Sequence, residues 1–189
     1  MSEIMTASVP TREPAGLPYE PSPAFGLPDD PSLADCHGKR IGILIVTENA
    51  LSTLAAVLKR ITPHVWQNVE EVVVFDDASR DSTFELAVGL KTVCNLPKLQ
   101  VLKQQKNIGY GGTQKAGYRY FLEKGFDIVI LLHGDGQYAP EIIARLYHPI
   151  VTGEADGVFG SRMMFSTLRF RAFAAIGSSK RSEGVASTV

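Results

Sequence analysis

The sequence predicts an α/β fold in which a mostly parallel sheet carries helices on both faces. Short apolar runs of the kind that form strands buried on both faces alternate about five times with segments whose apolar residues recur at helical spacing. The composition agrees, since 44% of the residues are hydrophobic and 21% are charged, as in ordinary globular domains. Repeated alternation of this kind places the strands in one open sheet, with the connecting helices packed on its two sides.

Five strands are predicted from the apolar runs, at residues 41–46, 71–75, 99–102, 127–132 and 156–159. The first helix has apolar residues from Leu51 to Ile61 and is expected to end before Pro63, because proline lacks the N–H that a helix interior needs. Ser79 is the expected N-cap of the second helix. Pro140 suits the first turn of the helix that follows the fourth strand.

The two ends of the chain differ from this regular part. Seven of the eleven prolines lie within residues 1–38, which we expect to form a disordered leader. Residues 39–164 form the predicted folded domain. Residues 165–189 are expected to be a poorly ordered tail with one short helix near residues 169–176.

Charge and cysteine content exclude several classes of protein. Nineteen Lys and Arg residues against 20 Asp and Glu residues give a net charge of −1, which argues against a nucleic-acid partner. The sequence has no run of roughly 18 apolar residues, as a membrane-spanning helix needs, and its N-terminus lacks the pattern of a secretory signal. Two cysteines predict neither a disulfide framework nor a zinc site, so the expected compartment is the cytoplasm.

Polar residues that the apolar pattern does not explain follow the predicted strands. In open parallel sheets, ligands bind at the carboxyl ends of the strands. The candidate segments are therefore Thr47-Glu48-Asn49, Asp76-Asp77, the loop at residues 107–112, and residues 133–137. We expect these segments to meet at one edge of the sheet.

Asp76 and Asp77 follow the second predicted strand. A carboxylate at this position can accept a hydrogen bond from a nucleobase N–H or from a ribose hydroxyl, and a helix cap or a turn is the structural alternative. Asn49 follows the first strand, where it can orient a base, hold the neighbouring loop or cap a helix. All three are predicted nucleotide-binding residues.

Asn107, Gly109 and Gly112 belong to a glycine-rich loop that leads into a predicted helix. Glycines permit close backbone approach, and the free N–H groups of a helix start favour anions. These residues are therefore also predicted to bind the nucleotide, although a simple glycine-rich turn is the alternative.

His133, Asp135 and Gln137 alternate after the fourth strand, which places their side chains on one side of an extended segment. The carboxylate of Asp135 and the amide oxygen of Gln137 suit a hard cation such as Mg²⁺, which completes its shell with phosphate and water. His133 suits Mn²⁺ better, because imidazole is a softer ligand. A polar loop with a Gly-Asp-Gly turn is the structural alternative.

Taken in order, five segments resemble the family 2 glycosyltransferases, especially the branch that contains dolichol-phosphate mannose synthases and related polyprenyl-phosphate sugar transferases. The segments are IGILIVTENALSTLAAVLKRI, EVVVFDDASRDSTFELA, QQKNIGYGGTQKAGYRYFLEKG, DIVILLHGDGQYAPE and EADGVFGSRM. The resemblance runs over residues 41–163, and beyond it we expect the chain either to be truncated relative to the family or to continue into a divergent tail.

The resemblance implies a Rossmann-like GT-A fold and an inverting transferase that uses a nucleotide-diphosphate sugar and a divalent metal, Mn²⁺ or Mg²⁺. It implies that Asp76 and Asp77 lie against the nucleobase and ribose. Asp135 matches the second acid of the family's Asp-x-Asp motif, and Gln137 matches the glutamine two residues later. Asp135 and Arg162 are the predicted catalytic residues, with Arg162 contacting the diphosphate or the acceptor phosphate.

A polyprenyl phosphate is the acceptor that the resemblance favours. A phosphate monoester is largely dianionic near neutral pH, with a second pKa of about 6, so it needs no general base. No convincing base is found in the matched region. Since no anchor is visible in the sequence, location at the cytoplasmic face of a membrane would depend on a membrane partner protein.

Two positions depart from the family pattern. Where the family commonly has Pro-Ala-Tyr-Asn, this sequence has Val46-Thr47-Glu48-Asn49, so Glu48 replaces a tyrosine that stacks near the base. His133 replaces the first acid of Asp-x-Asp, which leaves one carboxylate fewer for the metal. A nucleotide-sugar-binding remnant without transferase activity is therefore the main alternative. A Rossmann dehydrogenase is disfavoured, because GxGxxG is absent after the first strand.

Overall fold

The computed structural model describes residues 30–160 and, for the backbone alone, Ala174–Gly177. Residues 1–29 of the predicted leader lie outside the described residues. So do residues 161–164 of the predicted domain, which include Arg162, and the predicted tail apart from residues 174–177. The prediction of disorder does not hold for residues 30–38. They contain a 3₁₀ turn, Pro31–Ala34, whose Ala34 is buried and whose carbonyl accepts a hydrogen bond from the Tyr147 hydroxyl at 2.6 Å.

Six described strands form one sheet, in the order β3-β2-β1-β4-β6-β5. They are β1 Ile41–Thr47, β2 Glu71–Asp76, β3 Leu99–Lys103, β4 Ile128–His133, β5 Gly157–Phe159 and β6 Ala174–Gly177. The first four are parallel neighbours, and β6 runs antiparallel to both β4 and β5. The mostly parallel α/β fold is thus confirmed, and all five predicted strands are present.

The predicted helix near residues 169–176 is wrong for the part that the structure describes. Ala174–Gly177 is the strand β6, whose backbone pairs with Ile128, Val129 and Ile130 of β4. Pairing between two strands satisfies the backbone of this segment and overrides the weak helical spacing of its apolar residues.

Five described α-helices connect the strands: α1 Leu54–Lys59, α2 Pro63–Asn68, α3 Thr83–Val93, α4 Tyr110–Glu123 and α5 Ile143–Val151. Helix α1 ends before Pro63 as predicted, with Arg60 as its C-cap, and Pro63 begins α2, which was not predicted. Proline is favoured at the first helical position because the N–H it lacks would be unpaired there. Thr62 caps α2, since its Oγ1 accepts from the N–H of Val65 at 3.4 Å.

The sheet separates two apolar clusters, as helices on both faces require. Alternate residues of β1 point to opposite sides. Ile43 and Ile45 belong to the larger cluster, which includes residues of α1, α2, α3 and α5. Leu44 and Val46 belong to the smaller one, which includes Phe121 of α4. Among the described helices, none has the length and apolarity needed to cross a bilayer.

Helix α4 approaches β1 closely because Gly42 of β1 faces α4 and Gly117 of α4 faces β1. A Cβ added to Gly42 would lie 2.2 Å from the buried Phe121 ring, and one added to Gly117 would lie 2.5 Å from the Leu44 side chain. No real Cβ contact is that short. These glycines therefore fix how deeply α4 sits on the sheet, and so where its N-terminus lies at the carboxyl edge.

We expect Gly42→Ala to lower the free energy of unfolding by about 1–3 kcal/mol, because the fully buried Phe121 ring has little room to move. Urea unfolding followed by circular dichroism measures the change. Gly89→Ala in α3 is the matched control, since a Cβ there meets nothing within 4 Å. Equal stability of the two variants would show that the close approach does not constrain the fold.

Candidate nucleotide-sugar site

An open cleft with a volume of about 150 Å³ lies at the carboxyl ends of β1, β2 and β4. The described residues that line it are Val46, Glu48, Asp77, Tyr110, His133 and Asp135. Three predicted site residues therefore meet in one place: Asp77, His133 and Asp135. Glu48 and Tyr110 were not selected as site residues, although both belong to segments that follow strands.

Asp77 is buried in the cleft wall with one oxygen bound and the other free. Its Oδ1 accepts a hydrogen bond from the backbone N–H of Ile108 at 2.9 Å. Its Oδ2 is buried and has no hydrogen-bond partner among the described residues. Buried acceptors are usually paired, so the unpaired Oδ2 of this cleft-lining residue is an acceptor that a ligand could satisfy.

Asp76 has a different role from its neighbour, because it points into the protein. Its side chain is fully buried, and its carboxylate accepts from both the backbone N–H of Ser79, at 3.0 Å, and the Ser79 hydroxyl. Lys103 lies 3.9 Å away on β3. The structure thus gives Asp76 a loop-holding role, and the nucleotide contact predicted for it is not supported by its position. Ser79 does not cap α3, whose N-cap residue is Ser82.

Asn49 also holds a loop, which was one of its predicted alternatives. Its Oδ1 accepts from the backbone N–H of Arg80 at 2.9 Å, and its own N–H donates to the Ser79 hydroxyl at 2.8 Å. It adopts a left-handed backbone conformation with φ of 51°. Asn49 is not among the described residues that line the cleft.

The glycine-rich loop is tied together by its own polar groups. Asn107 Oδ1 accepts from the N–H of Gly109 at 3.0 Å, and the N–H of Ile108 donates to Asp77. Both N–H groups therefore already donate hydrogen bonds within the protein and are not available to bind an anion. Gly109 lies at φ 76° before the first residue of α4, and a Cβ on Gly112 would lie 3.0 Å from the Ile108 side chain. The loop positions the cleft wall.

Glu48 is exposed at the cleft and is anchored to the same loop. Its Oε1 accepts from Asn107 Nδ2 at 2.7 Å. The sequence indicated only that Glu48 cannot stack on a base as tyrosine does. Its anchoring could not be predicted from the sequence, because it depends on a hydrogen bond to a loop 59 positions away along the chain.

Asp135 is exposed and lines the cleft. Its Oδ1 accepts from the backbone N–H of Gln137 at 2.9 Å, in a tight turn where Gly136 has φ of 75°. Gln137 is also exposed, but it is not among the described residues that line the cleft. Of the predicted Asp-x-Gln pair, the structure therefore brings only Asp135 to the cleft.

His133 is held between two aromatic rings in the cleft wall. Its ring centroid lies 4.7 Å from that of Tyr110 and 4.3 Å from that of Tyr138. Burial lowers the pKa of His133, and the negative charge of Asp135 opposes this only in part. The lowered pKa favours the neutral imidazole. Its Nε2 is buried without a hydrogen-bond partner among the described residues, so it is free to accept or to ligate.

The charge of the cleft fits a divalent cation bound together with phosphate groups. Glu48, Asp77 and Asp135 line it, and no Lys or Arg is among its described lining residues. Within the described part of the chain, no group of three His, Cys, Asp or Glu side chains is placed to hold a metal by itself. The donor set therefore fits an ion that takes one carboxylate from the protein and its other ligands from a diphosphate and water, as Mg²⁺ commonly does.

The family model for glycosyl transferase family 2 matches residues 42–183, which is most of the chain. The chain belongs to glycosyl transferase family 2. The matched region extends beyond Met163, where the resemblance of the sequence motifs ended. It contains the whole cleft and all of the predicted site residues.

Curated relatives of this family 2 member include polyprenyl-phosphate sugar transferases. An undecaprenyl-phosphate mannosyltransferase of Micrococcus luteus is 35% identical over 123 residues, which are 65% of this chain and 48% of the relative. A polyprenol monophosphomannose synthase of Mycolicibacterium smegmatis is 30% identical over 124 residues, 66% of this chain and 45% of the relative. The chain thus spans about half the length of the curated relatives it matches.

Solved structures agree with the family 2 assignment at the level of the fold. A mannosyltransferase from Pyrobaculum calidifontis, in complex with GDP-Man and Mn²⁺, matches with a TM-score of 0.62 at 18% identity, over 81% of this chain and 47% of that one. A glucosyl-3-phosphoglycerate synthase from Mycobacterium tuberculosis, in complex with Mn²⁺, UDP and phosphoglyceric acid, matches with a TM-score of 0.55 at 16% identity, over 87% of this chain and 63% of that one. The predicted GT-A fold is confirmed.

Asp76→Ala is expected to lower the free energy of unfolding by about 2–3 kcal/mol, because it leaves the buried donors of Ser79 without an acceptor. Asp135→Ala serves as the control, since an exposed side chain should change stability by no more than about 0.5 kcal/mol. Both are measured by urea unfolding. If the two variants were equally stable, the loop-holding role of Asp76 would be wrong.

Proposed function

We propose that the cleft binds the nucleoside diphosphate of a nucleotide sugar together with a divalent cation, and that the protein transfers the sugar to an acceptor. The observation that carries this proposal is the buried, unpartnered Oδ2 of Asp77. An unpaired buried acceptor costs free energy in the free protein, and a nucleobase N–H donated to it would offset that cost. Membership of glycosyl transferase family 2 supports the same ligand.

Asp135 is the residue that would hold Mn²⁺ or Mg²⁺. When bound, such a cation supplies positive charge to the diphosphate leaving group. The three carboxylates of the cleft would otherwise repel the diphosphate. Gln137 and His133 are the further proposed ligands. Gln137 would have to turn its exposed amide toward the cleft, and His133 would offer its unpartnered Nε2.

We further propose that the transfer is an inverting displacement onto a polyprenyl phosphate. An oxygen of the acceptor phosphate attacks the anomeric carbon from the face opposite the diphosphate. The bond between that carbon and the diphosphate oxygen breaks, and its electron pair leaves with the nucleoside diphosphate. The dianionic phosphate has no proton to lose, so no general base is required. The names of the curated relatives support this acceptor.

The donor site is tested by calorimetric titration of the full chain with GDP and UDP, each with and without Mn²⁺. We expect one nucleotide to bind in a metal-dependent way, and Asp135→Asn to weaken that binding at least about tenfold, which corresponds to 1.4 kcal/mol. Asp156→Asn is the matched control, because Asp156 is exposed and is not among the cleft residues. A folded protein that binds neither nucleotide would contradict the proposal.

The acceptor is tested with a labelled nucleotide sugar and two lipids of equal chain length, a polyprenyl phosphate and the corresponding polyprenol. We expect transfer to the phosphate alone, because the alcohol must lose a proton and the phosphate need not. Transfer to the polyprenol but not to its phosphate would contradict the proposed acceptor.

Location at a cytoplasmic membrane face through a partner protein is a further part of this proposal.

A nucleotide-sugar-binding remnant is the second candidate function. One observation favours it: His133 stands where the family pattern has an acid. Metal-dependent nucleotide binding without transfer to either lipid, and with only slow hydrolysis of the donor, would identify this function.

A further inference from the structure

Two carboxylates of the cleft are anchored to consecutive residues of one loop. Glu48 Oε1 accepts from Asn107 Nδ2 at 2.7 Å, and Asp77 Oδ1 accepts from the N–H of Ile108 at 2.9 Å. Asp77 Oδ2 is buried without a hydrogen-bond partner among the described residues, and Glu48 is exposed. Since both residues line the same cleft, they offer a pair of acceptors to one occupant.

A pair of acceptors selects an occupant with two neighbouring donors. Guanine presents its N1–H and its 2-amino group side by side on one edge. Uracil presents one N–H between two carbonyl oxygens, so a carbonyl would face one of the carboxylates. Adenine and cytosine place an amino group beside an unprotonated ring nitrogen, which is also an acceptor. A site whose buried polar groups are left unpaired by the wrong ligand rejects it strongly.

We propose that Glu48 and Asp77 make this site selective for a guanine nucleotide. Asp77 Oδ2 accepts the N1–H, and Glu48 accepts from the 2-amino group. The inference rests on the proposed function, because it requires that the cleft bind a nucleoside diphosphate. It gives Glu48 a role of its own as a specificity-determining residue, at a position where the family commonly has tyrosine.

The test compares nucleotides with and without the 2-amino group, and it compares the wild type with a variant at Glu48. Calorimetry with Mn²⁺ measures binding of GDP, of IDP, which differs from GDP only in lacking that amino group, and of UDP. The full-length wild-type chain is expected to bind GDP about tenfold more tightly than IDP, the effect of one hydrogen bond to a charged group, and to bind UDP more weakly than GDP.

Glu48→Gln keeps an oxygen for Asn107 but turns an amide N–H₂ toward the 2-amino group. We expect the preference for GDP over IDP to disappear or to reverse in this variant. Glu123→Gln is the matched control, because Glu123 is an exposed residue at the far end of α4. It should retain the wild-type preference.

Asp77→Asn is the second variant, and it should act differently. GDP and IDP both carry the N1–H, so both should bind about tenfold more weakly while their ratio stays that of the wild type. This variant keeps the inference testable if Glu48→Gln does not fold. Thermal unfolding of each variant confirms that the titrated protein is folded.

Three results would overturn the inference. Equal weakening of GDP and IDP by Glu48→Gln would show that Glu48 acts only by holding Asn107. UDP binding as tight as GDP binding in the wild type would show that the cleft does not select guanine, while leaving the proposed function intact. Binding of none of the nucleotides by a folded protein would overturn the proposed function together with this inference.

Discussion

The buried carboxylate of Asp76 is the interaction on which the cleft depends. It joins the end of β2 to Ser79, and the Ser79 hydroxyl in turn accepts from the N–H of Asn49 at the end of β1. One buried cluster of hydrogen bonds thereby connects the carboxyl ends of two neighbouring strands. Successive side chains of an extended chain point to opposite sides. Since the Asp76 side chain points into the protein, that of Asp77 lies on the side of the cleft. Of this Asp-Asp pair, one side chain holds the loop and the other lines the cleft.

The balance of charge in the cleft constrains what can bind there. Its described lining has three carboxylates and no Lys or Arg, so an anionic ligand needs an added cation and a neutral ligand needs hydrogen-bond donors. The proposed nucleoside diphosphate with a divalent metal would meet both conditions, with the metal on the phosphates and the base against Asp77. The replacement of an acid by the neutral, ring-packed His133 lowers the negative charge near Asp135 without supplying a positive one.

Most of the fold could be predicted from the sequence. Continuous apolar runs identify strands buried on both faces, and apolar residues at helical spacing identify the helices that pack on them. Strand β6 was not predicted, because it forms by pairing with β4 and not from the local pattern of apolar residues. The cleft lies at the edge of the sheet where the site was predicted. The division of roles between Asp76 and Asp77 was not predicted, nor was the anchoring of Glu48, since both depend on hydrogen bonds between segments distant in sequence.

Amide NMR spectra of the full chain test whether one cleft holds the nucleotide at Asp77 and the metal at Asp135. Addition of Mg²⁺ and GDP should shift the N–H signals of Ile108 and Gln137, which are bonded to these two carboxylates. Replacement of Mg²⁺ by paramagnetic Mn²⁺ should then broaden the signals around Gln137 only when nucleotide is present. Shifts centred instead on the opposite edge of the sheet, near Arg40 and Glu70, or the absence of shifts in a folded protein, would contradict the claim.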